Sequence, residues 1–332
     1  MKEVVVSGIR PTGKLHLGNY FGAVKNFLQL QEDFDSYFFI ADYHSLTTHP
    51  TPSDLIGSGK RVLAEYIALG LDPEKCSIYF QSDVPETAEL YLFLTMNAYL
   101  GELERVSSFK EKARTQPNNI NAGLLNYPIL MTADILLHKG VKVPVGKDQS
   151  QHLEMARTFA NRFNRLYNCN YFPEPQAFSF DGTLIKVPGL SGSGKMSKSL
   201  GDADAIYLDD EATHLEKKIM RAVSDSGAMG INAPKSQAVQ NLFDLMALVS
   251  DPGVILQFEN DHKSGTIRYG ELKKQLAADM ENFVAPLRDK IQATLANEKH
   301  LNEIAKYGAE KARNSAKKTL REVREIIGFR SN

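Results

Sequence analysis

The 332-residue chain contains no tryptophan, only two cysteines, almost no net charge and no long apolar run. The two cysteines, Cys76 and Cys169, stand apart from each other and from any Cys/His cluster, which excludes a zinc-finger-type structural metal site. Both read as buried thiols of a reduced compartment. Lys+Arg 39 against Asp+Glu 40 gives a formal net charge of -1, so bulk charge points to neither a nucleic-acid coat nor a membrane surface. A local basic patch is still allowed, because recognition depends on where charge sits. The apolar stretch near the N-terminus is broken by Gly8 and Arg10, too short for a signal peptide or a bilayer span. A cytoplasmic protein without membrane contact is expected. No repeat, heptad array or low-complexity tract occurs.

What is present is an ordinary globular composition, 42% hydrophobic and 24% charged, in a length that suggests two domains. Residues 4–9 read as a buried strand running into a Gly/Pro turn. A helix beginning near Gly18 turns Phe21, Val24, Phe27 and Leu28 inward. Residues 37–42 and 76–81 read as further strands, with a helix from Ser53 between them carrying Val62, Leu63, Tyr66 and Ile67 at helical spacing. Residues 122–138 look helical and 141–145 extended. From Asp148 a helix buries Ala156, Phe159, Ala160, Phe163 and Leu166. Strand, helix, strand at this spacing predicts an α/β, doubly wound parallel sheet, Rossmann-like, over residues 1–208. Beyond Asp209 strand signals fade. Apolar stripes through Leu272, Leu276, Met280 and Ile291, then Leu301, Ile304, Leu320 and Val323, predict an all-α part over 209–332.

Two loops carry chemistry. The stretch 189–196, GLSGSGKM, nearly matches a phosphate-binding P-loop. Met196, however, stands where the magnesium-binding hydroxyl is required, and Gly201 interrupts the helix that should follow. The segment Lys195-Met196-Ser197-Lys198-Ser199 reads instead as a cationic lid able to close on polyphosphate and neutralise a departing pyrophosphate, or as a solvated Lys/Ser loop. At the other end, His16-Leu17-Gly18-Asn19 follows the first strand and opens the first helix. Helix N–H groups attract phosphate there, and Gly18 permits close approach. A histidine making only a local cap bond is the competing reading.

HxGN after the first strand with KMSKS far downstream resembles the signature pair of class I aminoacyl-tRNA synthetases, with Asn19 where that class usually has a second histidine. The stretches SGIRPTGKLHLGNYFGAV (7–24), YLGELERVSSFKEK (99–112), LLNYPILMTADILL (124–137) and VPVGKDQSQHLE (143–154) are similar to the bacterial tryptophanyl-tRNA synthetases over nearly the whole chain. The resemblance implies ATP as substrate with Mg²⁺, no structural metal, L-tryptophan and tRNA(Trp) as partners, and a homodimer with its interface near residues 100–135. It implies that residues 1–208 activate the amino acid while 209–332 bind the anticodon. It places His16, Asn19, Lys195 and Lys198 in catalysis. Arg10, Pro11, Thr12, Gly18, Gly146, Lys147, Asp148, Val187, Met196, Ser197 and Ser199 join these four around ATP. Asp134 would accept the indole N–H, beside Met131, Ile135, Val6, Gly8, Val143 and Val145, while Tyr127 and Gln149 hold the substrate amino group. A phenol also donates to a carboxylate, so chemistry alone leaves tyrosine open; Met131, where tyrosine enzymes tend to carry Gln, favours tryptophan. Alternative readings are a small adenylyltransferase, which would lack the helical part, and a non-catalytic paralogue. The last segment, with Lys299, Lys306, Lys311, Arg313, Lys317, Lys318, Arg321, Arg324 and Arg330, can meet RNA phosphates or simply be solvated.

Overall fold

The computed structural model describes residues 2–115, 117–144, 150–178, 185–192, 194–227 and 230–330. Strand β1 (Val4–Ile9), rich in β-branched residues, lies at the centre of a parallel sheet. On one side it pairs with β2 (Asp35–Ile40) from Val4↔Asp35 to Ile9↔Ile40. From Ser36 on, β2 is buried throughout, as expected of a strand covered on both faces. Strand β3 (Cys76–Phe80) continues the sheet beyond β2. On the other side of β1 come β4 (Lys142–Pro144) and β5 (Gln176–Phe178). The order is therefore β3-β2-β1-β4-β5. Because consecutive connections leave β1 in opposite directions, a crevice opens beyond the carboxyl ends of β1 and β4, where ligands of doubly wound sheets bind.

The first helical stretch, α1 (Leu17–Asn19), passes through a π-helical turn at Tyr20–Val24 into α2 (Lys25–Asp33). After β2 come the short α3 (Asp42–Ser45) and α4 (Pro52–Ala68). The N-cap of α4 is Thr51 rather than Ser53: its side chain accepts the Asp54 N–H, and Pro52 suits the first helical position. Between β3 and β4 run α5 (Glu86–Met96), α6 (Leu100–Glu104), α7 (Ser107–Thr115) and α8 (Ala122–Leu137), the last capped by Asn121. Helix α9 (Ser150–Leu166) buries Ala156, Phe159, Ala160 and Phe163 as expected, but Leu166 is exposed. Tyr167 takes the place beside the Phe163 ring, at 4.8 Å. Cys76 is buried, whereas Cys169 is only half-buried on the turn after α9.

The remaining helices are α10 (Ala212–Arg221), α11 (Gln237–Val249), α12 (Pro252–Ser264), α13 (Tyr269–Ala296) and α14 (Glu298–Ile327). A single cut after residue 208 does not describe the compact units. One comprises Met1–Gly13, Phe27–Thr183 and Asn297–Asn332, the other Lys14–Asn26 and Leu184–Ala296. Helix α14 belongs with the sheet because its small residues let it lie directly on β3. A Cβ added at Gly308 would stand 1.9 Å from the Ile78 carbonyl oxygen. Ala309, Ala312 and Ala316 share the core with Tyr37, Phe39 and Tyr79. Residues 14–26 join the second unit through backbone bonds from Leu17 N–H to Ile206 O (2.9 Å) and from Leu208 N–H to Leu15 O (3.1 Å). Phe21 stacks on Phe283 at 5.6 Å, completing that attachment. No helix among the described residues is long and apolar enough to cross a membrane.

Candidate active site

In the sheet-bearing unit, β1, β4 and the face of α8 that carries Tyr127, Met131, Asp134 and Ile135 border a cavity of about 440 Å³, within the range of small-molecule sites. Its apolar lining includes Val6, Phe39, Met131, Ile135 and Val143. Gly8 also lines it, and the absence of a side chain there is required: a Cβ would stand 2.4 Å from the Phe39 ring. Asp134, one helical turn from Met131, is buried yet reaches the cavity. Its Oδ1 accepts from Gln81 Nε2 at 2.8 Å, and its Oδ2 lies 3.0 Å from His44 Nε2. Burial pushes this carboxyl above its ordinary range, against the opposing bonds from His44 and Gln81. A carboxylate offers about four lone-pair sites, so two partners leave room for a donor from a ligand.

A polar group occupies another part of the lining. The Tyr127 hydroxyl is 2.7 Å from His152 Nε2 and bonds Ser108, whose hydroxyl is 2.9 Å from the same histidine nitrogen. Lys112 Nζ sits 4.5 Å from the centre of the Tyr127 ring. Arg10 also lines the cavity; it donates to Thr48 Oγ1 at 3.3 Å, while its buried Nε finds no partner among the described residues. Burial and then the neighbouring Arg10 charge lower the Lys112 pKa. Two cations held this close in a partly dry cavity make a receptor for an anionic group. Pro11 is buried, and the Thr12 N–H closes a turn on Arg10 O at 2.9 Å.

The two signature motifs lie together in the second unit. The side chain of His16 caps α1 by accepting the Asn19 N–H at its Nδ1 (3.3 Å), and Asn19 Oδ1 returns a bond to His16 N–H (3.1 Å). The local cap and the phosphate reading are thus compatible. With Nδ1 accepting, a neutral ring carries its proton on Nε2, ready to donate. Burial, and secondarily the Lys198 charge, hold His16 near pKa 4, so the ring is neutral at pH 7. Gly18 accommodates this histidine, since a Cβ there would be 2.9 Å from its ring. Met196 is buried, its N–H bonds Val187 O at 2.9 Å, and Lys195 bridges to Pro188. The Val187 carbonyl therefore serves the loop itself. Lys198–Leu200 forms only a single 3₁₀ turn, which removes the P-loop reading.

The structure thus brings Val6, Gly8, Arg10, Tyr127, Met131, Asp134, Ile135 and Val143 around one cavity, and His16, Gly18, Asn19, Val187, Lys195, Met196, Ser197 and Lys198 into one unit. Ser199 falls within the Lys198–Leu200 turn. Val145, Gly146, Lys147, Asp148 and Gln149 lie outside the described residues. Sequence reasoning missed His44, Gln81, Ser108, Lys112 and His152. Ser108 and Lys112 lie in the quoted 99–112 stretch and His152 in the 143–154 stretch, whereas His44 and Gln81 carried no signal.

Comparison with known proteins supplies the family. The family described as tRNA synthetases class I (W and Y) matches residues 2–285. The tryptophan--tRNA ligase of Porphyromonas gingivalis is 58% identical over 99% of this chain and 100% of its own length, and that of Clostridium perfringens 41% identical over 99% and 98%. The Campylobacter jejuni tryptophanyl-tRNA synthetase, solved with ADP and tryptophan, superposes with a TM-score of 0.88 at 35% identity, covering 98% of this chain and 100% of that one. The tyrosyl-tRNA synthetase of Aeropyrum pernix shares the fold alone, at 17% identity and a TM-score of 0.66. The chain belongs to the class I tRNA synthetases of the W and Y family. Within it, the similarity to bacterial tryptophan--tRNA ligases over its full length places it in their branch.

Proposed function

We propose that the protein activates L-tryptophan with ATP and transfers it to tRNA(Trp), with the indole in the 440 Å³ cavity and its N–H on Asp134. The observation that carries this reading is a buried carboxylate beside the apolar part of the cavity wall, Val6, Met131, Ile135 and Val143, because such a group needs a donor and an indole supplies one together with large apolar rings. In the first step a tryptophan carboxylate oxygen attacks the α-phosphorus of ATP. The bond from that phosphorus to the bridging oxygen breaks, and its electron pair leaves on pyrophosphate. Mg²⁺ enters as part of the ATP substrate. Lys195 and Lys198 neutralise the charge growing on the leaving group, and neutral His16 donates a hydrogen bond from Nε2, so no proton transfer by the protein is needed. Tyr127 and Gln149 orient the amino group. Arg10, Pro11, Thr12, Gly18, Asn19, Val187 and the 146–148 segment hold ATP. In the second step the tRNA terminal hydroxyl oxygen attacks the carbonyl carbon of the mixed anhydride. The bond from that carbon to the phosphate oxygen breaks, and AMP leaves with the electron pair while the hydroxyl proton passes to the leaving phosphate or to water.

Homodimer formation is supported by Leu92, Met96, Tyr99 and Leu100, close in sequence at the end of α5 and start of α6 and 48% to 74% exposed. The anticodon is assigned to the helical part, residues 209–332. Along α14, Lys311, Arg313 and Arg324 are engaged by Pro73 O, Glu86 and Glu89, while Lys299, Lys306, Lys317, Lys318 and Arg321, with Arg330 just beyond the helix, are exposed and can be offered to RNA. Free cysteines in both positions agree with a cytoplasmic location. The test is ATP–pyrophosphate exchange with each of the twenty amino acids. Exchange with tryptophan alone is expected; exchange with tyrosine would overturn the Met131–Asp134 assignment, and none at all would favour a non-catalytic paralogue.

A further inference from the structure

The lysine loop is held from below by a carboxylate to which neither signature motif assigns a task. Asp204 is 2% exposed and belongs to the 3₁₀ turn Asp202–Asp204 that follows the loop. Its Oδ1 accepts the Ser191 N–H at 2.9 Å, and its Oδ2 accepts the Ser197 N–H at 3.3 Å. Its own carbonyl accepts the Leu190 N–H at 3.1 Å. One side chain therefore ties the entry of the loop to the middle of its KMSKS segment. The fit is close, since a Cβ at Gly189 would stand 2.4 Å from Asp204 Oδ1.

The same residue connects the loop to the other motif. Two positions further on, Ile206 O accepts the Leu17 N–H, Tyr207 bridges to His16, and Leu208 N–H bonds Leu15 O. A shift of Asp204 is thus transmitted both to Lys195–Lys198 and to the segment carrying His16. Gly192, Gly194 and Gly201 all adopt left-handed φ, at 85°, 75° and 95°, so the backbone there has many alternatives once its anchor is lost.

We infer that Asp204 is a positioning residue for amino-acid activation: its carboxylate fixes the register of the lysine loop so that Lys195 and Lys198 meet the polyphosphate. This rests on the reading of those lysines as the phosphate lid. Asp204→Asn keeps shape but offers only one acceptor oxygen, so one of the two N–H groups must face an NH₂ instead. Gly189→Ala displaces the carboxylate from outside without changing it.

The experiment measures ATP–pyrophosphate exchange, tryptophan affinity and amide hydrogen exchange for D204N, G189A and K195A, with thermal unfolding alongside. Both D204N and G189A are expected to lower kcat roughly ten- to hundredfold, about 1.4–2.7 kcal/mol of barrier. Tryptophan affinity should stay within about twofold, because the indole cavity does not include the loop, and the Ser191 and Ser197 amides should exchange faster. Unchanged kcat in D204N with K195A strongly impaired would overturn the positioning role while sparing the lid. Unchanged kcat in K195A would remove the lid itself. Parallel losses of kcat, tryptophan affinity and melting temperature would make Asp204 a merely structural residue and likewise overturn the inference.

Discussion

Replacing Asp134 by Asn separates recognition of the indole from stability of the fold. Both carboxylate oxygens of Asp134 have protein partners, Gln81 and His44, and the buried Gln81 Oε1 has no partner among the described residues. When Asn brings an NH₂ group, Gln81 can flip its amide and accept it, so the fold should lose little. The indole N–H, however, exchanges a charged acceptor for a neutral one or for none. A hydrogen bond to a charged group contributes about 1.5–3 kcal/mol, which predicts a roughly 10- to 150-fold loss of kcat/KM for tryptophan. Phenylalanine has no donor, and in the wild type it covers the ligand-facing lone pair of the buried carboxylate without a bond. Asn makes that penalty smaller, so discrimination against phenylalanine should narrow. The assay is ATP–pyrophosphate exchange with tryptophan and with phenylalanine, on protein whose melting temperature is unchanged. The absence of protein tryptophan allows affinity to be followed by substrate fluorescence without background. D134N with tryptophan kcat/KM within twofold of wild type would refute the assignment, as would equal losses for both amino acids. Burial also raises the Asp134 pKa, so protonation removes the acceptor sooner than for an ordinary carboxyl as pH falls. Tryptophan KM should therefore rise on acidification in the wild type and not in D134N.

Lys195→Ala is expected to lower the rate of adenylate formation by two or more orders of magnitude, roughly 3 kcal/mol of lost charge stabilisation, with tryptophan affinity retained. Single-turnover kinetics checks this; abolished binding with intact turnover would contradict it. Gly308→Ala should destabilise the sheet-bearing unit by about 1–3 kcal/mol or more, because its Cβ would collide with the Ile78 carbonyl, and denaturant unfolding would register the change. His138 is buried, bonded to Tyr79 and stacked on Tyr37, and burial holds its pKa near 3. The fold keeps it neutral while the unfolded chain protonates it near 6.5, so its contribution is complete above pH 6.5 and declines as pH falls toward 3. Over that window wild-type stability should fall about 1.4 kcal/mol per pH unit more steeply than that of His138→Gln, as measured by urea unfolding at several pH values.

Much of the candidate site was legible in the sequence because its signals are local. The His16–Asn19 box and the Lys195–Lys198 loop each occupy a handful of consecutive residues, with glycines at positions the backbone requires. Asp134 was legible for a related reason: Met131, Asp134 and Ile135 fall on one face of a helix by spacing alone. The alternation of strands and amphipathic helices likewise implied a parallel doubly wound sheet. His44, Gln81 and His152 were not legible, since His44 and His152 reach the cavity, and Gln81 reaches Asp134, from different elements, and no spacing relates residue 44 or 81 to residue 134. The helix start at Thr51 rather than Ser53, and exposed Leu166, were near misses in which a proline and a neighbouring tyrosine settled positions the pattern left ambiguous.

The amino-acid sequence alone determined which chemical groups the protein has and which faces of its helices are apolar. Only the tertiary structure decided what those faces meet. The stripe on α14 says that Leu301, Ile304, Leu320 and Val323 turn inward, and nothing in it says that the helix returns to β3 instead of staying with the helices before it. Likewise Asp204 reads as one acidic residue in a turn until folding buries it under two loop amides. The physical reason is that burial is nondirectional: apolar periodicity favours removal from water, while the partner is chosen by shape, by small residues such as Gly308, and by polar groups that must find each other once water is gone.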